Sequence, residues 1–293
     1  MDRPVLITGA TGFIGRRLVL GLASDWRVIP ASRTAEHSHA LALELTDPGS
    51  MARAFSAIGP AAVVNAAGMA DPDACEREPE LARRVNVDAV RALAKLCTKA
   101  GARLLHFSTD LVFDGEKSWY AEDDPPGPLS VYGRSKLESE QAALDLCPGA
   151  VVLRVSNCYG RPLAGARPSY LDQLYASLST GRLVKGFVDQ WRTSTAADQL
   201  PQVVLRILAN PGLQGVFHWG GADRASRYQI ALTFCQVMGL DERLVQPASA
   251  ADAVFAAQRP RDTSLNSARL REALQLQPLG LREGYSALRG AWG

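Results

Sequence analysis

An α/β fold with a doubly wound parallel sheet is what the sequence predicts, and three observations predict it. A short apolar run, Val5 to Ile7, passes through three glycines into a segment with Phe13, Ile14, Leu18, Val19 and Leu22 at helical spacing. Further apolar runs that suit buried strands then alternate with amphipathic helical stretches, which implies a parallel sheet covered on both faces. The chain has 293 residues, 47% of them hydrophobic and 21% charged, enough for a large core and a smaller partner lobe.

The elements follow in order. "RVIPASR" (27–33) reads as the second strand, a helix is expected at about 50–58, and "AAVVNAAG" (61–68) is the next strand. "RRVNVDAVRALAKLCTKAG" (83–101) is a helix leading to the strand "RLLHFSTD" (103–110). A polar helix-forming segment holding Tyr132 and Lys136 leads to the strand "AVVLRVSNCYG" (150–160). Beyond about 155 the pattern loosens into "YGRPLAGARP" and two helical stretches, 169–181 and 197–212. A strand-like "GVFHWGG" (215–221), a helix (226–240), a polar stretch (257–276) and a tail complete the chain. The expected division is a dinucleotide-binding domain over 1–155 and a substrate lobe mainly over 156–293, with part of 185–215 packing back on the first. The substrate pocket is expected between them.

The formal net charge is +2 with acidic and basic residues interspersed, so neither nucleic acid nor an anionic membrane is an expected partner. No apolar run approaches the roughly 20 residues needed to span a bilayer, and the N-terminus enters a strand at once, so a cytoplasmic protein is expected. The cysteines, Cys75, Cys97, Cys147, Cys158 and Cys235, show no metal-ligand spacing and read as reduced thiols. Of the four histidines only His37 and His39 are close, in a polar stretch that reads as a solvated loop rather than a metal site.

Gly9, Gly12 and Gly15 give a GxxGxxG turn between strand and helix. Glycines let the backbone approach a pyrophosphate, and the helix start offers amide donors and a positive dipole end. An acid at the end of the second strand would accept bonds from a ribose 2′-hydroxyl, whereas Ser32 and Arg33 stand there, which favours NADP(H) over NAD(H). Tyr132 and Lys136 are four residues apart, hence on one helical face, and a cation beside a phenol lowers its pKa toward useful proton transfer. Tyrosine and lysine also meet at this spacing in helices without catalytic roles, so the pair gains meaning from the rest of the chain.

"TGATGFIG" (8–15), "NAAG" (65–68), "STD" (108–110) and "YGRSK" (132–136), in this order, resemble the extended short-chain dehydrogenase/reductase superfamily with its Rossmann-type domain. "STDLVFDG", "VDQ" (188–190) and "RPRDTSLNSARL" (259–270) are similar, within it, to the dTDP-4-dehydrorhamnose reductase family, over essentially the whole chain. The resemblance implies that Tyr132 is the catalytic acid and that Thr109 bonds the reacting oxygen. It implies that Lys136 holds the nicotinamide ribose and depresses the phenol pKa. It further implies cofactor contacts from Gly9, Thr11, Gly12, Phe13, Ile14 and Gly15, from Ser32 and Arg33, from Glu44 and Leu45 on the adenine side, and from Asn65, Ala66, Ala67 and Ser108. Asn86 would tie the strand end at 65–68 in place, and a homodimer is common in the superfamily.

On the substrate side the resemblance implies Asp110, Leu111, Asn157, Gln190, Trp191, Arg192, Thr195 and Arg259. Leu111 stands where the family commonly has tyrosine, and Arg192 and Ser194 replace its usual glycine and proline. Trp191 and Arg192 suit stacking and pairing with a base or phosphate, and equally suit a rim unrelated to substrate. Arg17 replaces an acid that some members carry for a metal at the dimer contact, so no metal is expected.

The implied reaction is NADPH-dependent reduction of a ketone on a nucleotide-activated 4-keto-6-deoxysugar. Dehydratase or epimerase chemistry fits less well, because Thr109 is followed by Asp110 and Leu111 rather than by an acid pair. The alternatives are an NADP-binding regulatory subunit resembling that of methionine adenosyltransferase, and a reductase of a small ketone without a nucleotide. A redox-sensing protein usually loses the Tyr–Lys pair, which this chain keeps.

Overall fold

The protein's structure, a computed structural model, describes residues 4–33, 40–163 and 168–292. His37 and His39 lie outside the described residues. Strand β1 (Pro4–Thr8) is buried at every position and turns into helix α1 (Phe13–Leu22), whose Leu18 and Leu22 face the core. Strands β2 (Arg27–Ser32) and β3 (Leu41–Ala42) follow, then α2 (Pro48–Ile58), capped by Asp47, and β4 (Ala62–Asn65). Helices α3 (Pro72–Arg77) and α4 (Pro79–Arg83) run through a π-helical turn, Arg84–Asp88, into α5 (Ala89–Ala100). Strand β5 (Arg103–Thr109), helix α6 (Val131–Leu146) and strand β6 (Val151–Val155) complete this half.

The second half comprises α7 (Tyr170–Leu178), β7 (Val184–Phe187), β8 (Trp191–Arg192), α8 (Leu200–Ala209), β9 (Gly215–Trp219), β10 (Ala225–Ser226), α9 (Arg227–Met238), β11 (Val245–Ala248), α10 (Ala268–Leu274) and α11 (Leu281–Ser286).

Seven parallel strands form one sheet in the order β3–β2–β1–β4–β5–β6–β9, the doubly wound architecture expected from the alternating pattern. The chain runs outward from β1 through β2 and β3, then restarts on the other side of β1 with β4. The order therefore reverses at the carboxyl ends of β1 and β4, where open α/β sheets leave a ligand crevice. One apolar layer joins Leu18 and Leu22 of α1 to Leu200, Val203, Val204 and Ile207 of α8, and the other joins Leu93 and Val90 of α5 to Leu6, Val63 and Leu104. Each fully buried leucine contributes about 1.5–3 kcal/mol.

The strand β9 pairs with β6, Trp219 opposite Val155, so the returning part of the chain supplies both α8 and the sheet's last strand. A separate hydrophobic cluster is centred on Leu174, Ile230, Phe234 and Tyr285, and outside the large sheet β7 pairs with β11 and β8 with β10.

Candidate active site

The glycine turn makes the first wall. Gly9 has a positive φ of 68°, and a Cβ on Gly15 would stand 2.1 Å from the Gly9 carbonyl oxygen, so α1 sits against the turn only because glycine is there. No side chain caps the first turn of α1. A cavity of about 460 Å³ opens here, lined by Gly9, Thr11, Gly12, Ser32, Arg33, Glu44, Leu45, Ala66 and Ala67. A narrow backbone cradle beside uncapped helix amides suits a pyrophosphate. The Glu44 carboxylate accepts from the Thr46 N–H at 2.8 Å and the Thr46 hydroxyl at 2.7 Å, bonds that hold its pKa below the ordinary value.

A second cavity, of about 530 Å³, shares the stretch from Ala66 to Met69 with the first. Asn86, in the π-helical turn, fixes that stretch: it accepts from the Met69 N–H at 2.8 Å and donates to the Met69 carbonyl and to Ser135 Oγ, both at 3.0 Å. Phe13, Ile14, Ser108, Thr109, Asp110, Leu111, Tyr132, Lys136, Asn157, Gln190, Arg192 and Arg259 all line it.

Tyr132 and Lys136 project from the first turns of α6, which starts where Ser130 Oγ accepts from the Gly133 N–H at 3.1 Å. Burial pushes the Tyr132 phenol above its ordinary pKa; the Thr109 hydroxyl opposes this, while Asp110, Cys75 and Cys158 add to it. The shift is opposite to the one the Tyr–Lys spacing predicts. Removal from water sets the direction, and Lys136 Nζ bonds elsewhere: it donates to the Phe107 carbonyl at 2.7 Å and stands 3.2 Å from His106 Nε2. Burial also brings Lys136 down to about 8, with the Glu140 charge opposing it. Thr109 ends β5, where its hydroxyl accepts from the Leu111 N–H at 3.2 Å. The Ser108 hydroxyl donates to Glu140 at 2.5 Å, and Ser108 lines the same cavity.

Several residues expected on the substrate side serve the scaffold. Asp110 is buried and accepts from Ser156 Oγ at 2.9 Å and Thr263 Oγ1 at 2.5 Å, tying the end of β5 to the segments that follow β6 and precede α10. Arg192 is buried 3.5 Å from Asp110 and donates to the Trp191 carbonyl at 2.7 Å and the Pro260 carbonyl at 3.1 Å. Burial lowers it to about 10, against the pull of Asp110. Thr195 is not brought to the cavity; its hydroxyl donates to the Trp219 carbonyl at 2.8 Å and accepts from the Ser156 N–H at 3.1 Å. Trp191 is not brought there either. It lies under the Arg224 guanidinium, 4.1 Å from the ring centre, in a separate surface depression with Lys117 and Asp262. Arg17 pairs with Asp198 at 2.6 Å and covers the Phe13 ring.

Among the described residues four buried side-chain polar atoms have no hydrogen-bond partner, the Tyr159 and Tyr285 hydroxyls, Gln190 Nε2 and Arg259 Nη1, and of these Gln190 and Arg259 line the second cavity. Arg227 lines it too, and sequence reasoning missed it. It is the first residue of α9, set by a capping box between Ser226 and Gln229, and it donates to Asn157 Oδ1 at 3.0 Å. The S-x-x-Q signature at 226–229 was the available signal. Phe187 and Phe255, also missed, meet edge to face at 5.8 Å on the same wall. The charged lining is thus Lys136, Arg192, Arg227 and Arg259 against Asp110. An anion with several oxygens matches it. Among the described residues no group of acidic, histidine and cysteine side chains could hold a metal, and no helix is long and apolar enough to cross a membrane.

Comparison with known proteins gives a family match described as "RmlD substrate binding domain" over residues 3–288. The methionine adenosyltransferase 2 subunit beta of Bos taurus is 31% identical over 279 residues, covering 92% of this chain and 82% of that protein. A probable low-salt glycan biosynthesis reductase, Agl14, of Haloferax volcanii is 31% identical over 294 residues, covering 98% and 97%. The crystal structure of dTDP-4-dehydrorhamnose reductase from Bacillus anthracis, in complex with NADP, superposes with a TM-score of 0.90 at 24% identity, covering 98% of each chain.

Proposed function

The chain belongs to the RmlD substrate binding domain family, and on that premise we propose that it is an NADPH-dependent reductase of a ketone carried on a nucleotide-activated 4-keto-6-deoxysugar. One observation supports the reading: Thr109, Tyr132 and Lys136 line the arginine-lined cavity, which shares the Ala66–Met69 stretch with the glycine-lined one.

The glycine turn and α1 would hold the pyrophosphate, Arg33 the 2′-phosphate and Lys136 the nicotinamide ribose. Bound there, the nicotinamide supplies the hydride. Tyr132 then gives its proton to the carbonyl oxygen. A phenol whose pKa is raised by burial is fully protonated at neutral pH, as a general acid must be. Thr109 and Tyr132 are two donors for the developing oxyanion, and oriented donors of this kind supply about 3 kcal/mol each. Arg227 and Arg259 would face the diphosphate, Gln190 would offer its unpartnered amide to the sugar, and Leu111 would pack an apolar wall against it.

The test is NADPH oxidation, followed by absorbance, with dTDP-, UDP- and GDP-linked 4-keto-6-deoxysugars, comparing wild type with Tyr132→Phe. Turnover lost in the variant, with NADPH binding retained, is the expected outcome. A second reading, an NADP-binding regulatory subunit, is favoured by the 31% identity to methionine adenosyltransferase 2 subunit beta. Tight NADPH binding without turnover of any of these substrates, together with a change in methionine adenosyltransferase activity on mixing, would select it.

A further inference from the structure

Beneath the junction of the two cavities, three neighbouring strands bring Thr8, Asn65 and His106 side by side. Thr8 is the register partner of Asn65, and Asn65 of His106. All three are buried. Asn65 Oδ1 accepts from the Thr8 hydroxyl at 2.5 Å and from the Ala67 N–H at 3.3 Å. A backbone N–H can only donate, so the oxygen end of the amide is fixed, and its Nδ2 end faces His106 Nδ1 at 3.0 Å. Nδ1 is therefore an acceptor, and the neutral ring carries its proton on Nε2. That proton has an acceptor in Ser139 Oγ at 2.9 Å, whose own hydrogen goes to the Lys136 carbonyl at 2.6 Å.

Lys136 Nζ, 3.2 Å from the same Nε2, thus meets a donor. Of the three hydrogens on the ammonium, the protein takes one, at the Phe107 carbonyl.

We infer that His106, locked by Asn65 in its Nε2–H tautomer, is a positioning residue for Lys136. It holds the ammonium against the Phe107 carbonyl while denying it a second acceptor, so that the remaining hydrogens are left for the ribose hydroxyls of a dinucleotide. The inference rests on the dinucleotide reading above. The groups facing His106 are Asn65 from β4 and Lys136 and Ser139 from α6, with Thr8 of β1 bonded behind Asn65. Lys136 has in addition Glu140 on its own helix, itself bonded by Arg154 and Ser108. Burial and the Lys136 charge both keep His106 neutral, far below its ordinary pKa.

Two measurements test this. In protein labelled with 15N-histidine, without cofactor, long-range proton–nitrogen correlation reads which ring nitrogen bears hydrogen. The His106 signal is assigned by its loss in His106→Gln, or in His106→Asn where the first does not fold. An Nε2–H ring that does not titrate through the acid range is expected; an Nδ1–H or cationic ring overturns the proposal.

The second is NADPH affinity against pH. In the wild type it weakens as pH rises past about 8, when Lys136 loses its proton. In a folded His106→Gln variant, whose amide can turn an oxygen toward Nζ, that limb moves to higher pH, and affinity at neutral pH falls several-fold. An unmoved limb overturns the proposal. A wild type with the expected tautomer that binds no NADPH overturns the dinucleotide reading and the ribose half of the proposal with it. NADPH binding with the wrong tautomer overturns the proposal alone.

Discussion

Arg154 grips Glu140 through two bonds, Nε to Oε1 at 2.9 Å and Nη2 to Oε2 at 2.6 Å, with both side chains almost wholly out of water. Glu140 lies one helical turn beyond Lys136 and two beyond Tyr132 on the same face of α6. The pair therefore clamps the helix that carries Tyr132 and Lys136 to β6. Breaking a buried pair from one side leaves an uncompensated charge, at about 3–5 kcal/mol. Arg154→Met should lower the melting temperature by on the order of ten degrees, and the paired replacement Arg154→Met with Glu140→Leu should recover most of the loss. Thermal unfolding of the single and paired variants checks this; a silent single variant would show that the clamp carries no net charge cost.

Lys136 stabilises the proposed complex at the expense of the empty fold. In the folded chain it titrates at about 8, against 10.5 for an ordinary lysine. Between those values the unfolded chain holds more protons, so stability rises with pH there, and below about 8 the full cost of the buried ammonium is present. Lys136→Met should therefore raise the melting temperature at neutral pH by several degrees, the advantage shrinking as pH climbs past 8. Arg154 keeps Glu140 paired in this variant. NADPH binding should be lost. A variant that melts lower at neutral pH would contradict the sign.

The sheet was legible because buried parallel strands and their covering helices each leave a local pattern: β1 with α1, and the Tyr132–Lys136 spacing on α6, stand where periodicity put them. The pairing of β9 with β6 was not, since a partner some sixty residues distant leaves no local trace. Trp191 and Arg192 show another limit. They are consecutive in a two-residue strand, so their side chains point to opposite faces: Arg192 forms part of the cavity wall and Trp191 turns out beneath Arg224. Spacing also identified the cation near Tyr132 without revealing how much water the fold removes from the phenol, and burial decided the direction.

Arg33 is exposed at the end of β2, on the rim of the glycine-lined cavity and close enough to Glu44 to help hold its carboxyl ionised. A charge-assisted bond to a 2′-phosphate contributes about 1.5–3 kcal/mol. Arg33→Ala should therefore weaken NADPH binding by roughly tenfold or more while leaving NADH binding nearly unchanged. Titration of both dinucleotides against both proteins checks it, and an equal loss for the two would place Arg33 on a part they share.

Arg259 and Arg227 should act on binding more than on chemistry. Arg259 is bonded to Asp73 at 2.8 Å through Nη2 while its buried Nη1 has no partner, and Arg227 leans on Asn157. A diphosphate is equally charged in the ground and transition states, so interactions with it lower KM without raising kcat. Arg259→Gln and Arg227→Gln should each raise KM for the sugar nucleotide by roughly 10- to 100-fold with kcat within a few-fold of wild type. Arg259→Lys should restore little, because an ammonium cannot bond Asp73 and a phosphate through one planar fork. Steady-state kinetics on the three variants decides it. A fall in kcat at unchanged KM would instead put these guanidinium groups at the reacting end, beside Tyr132.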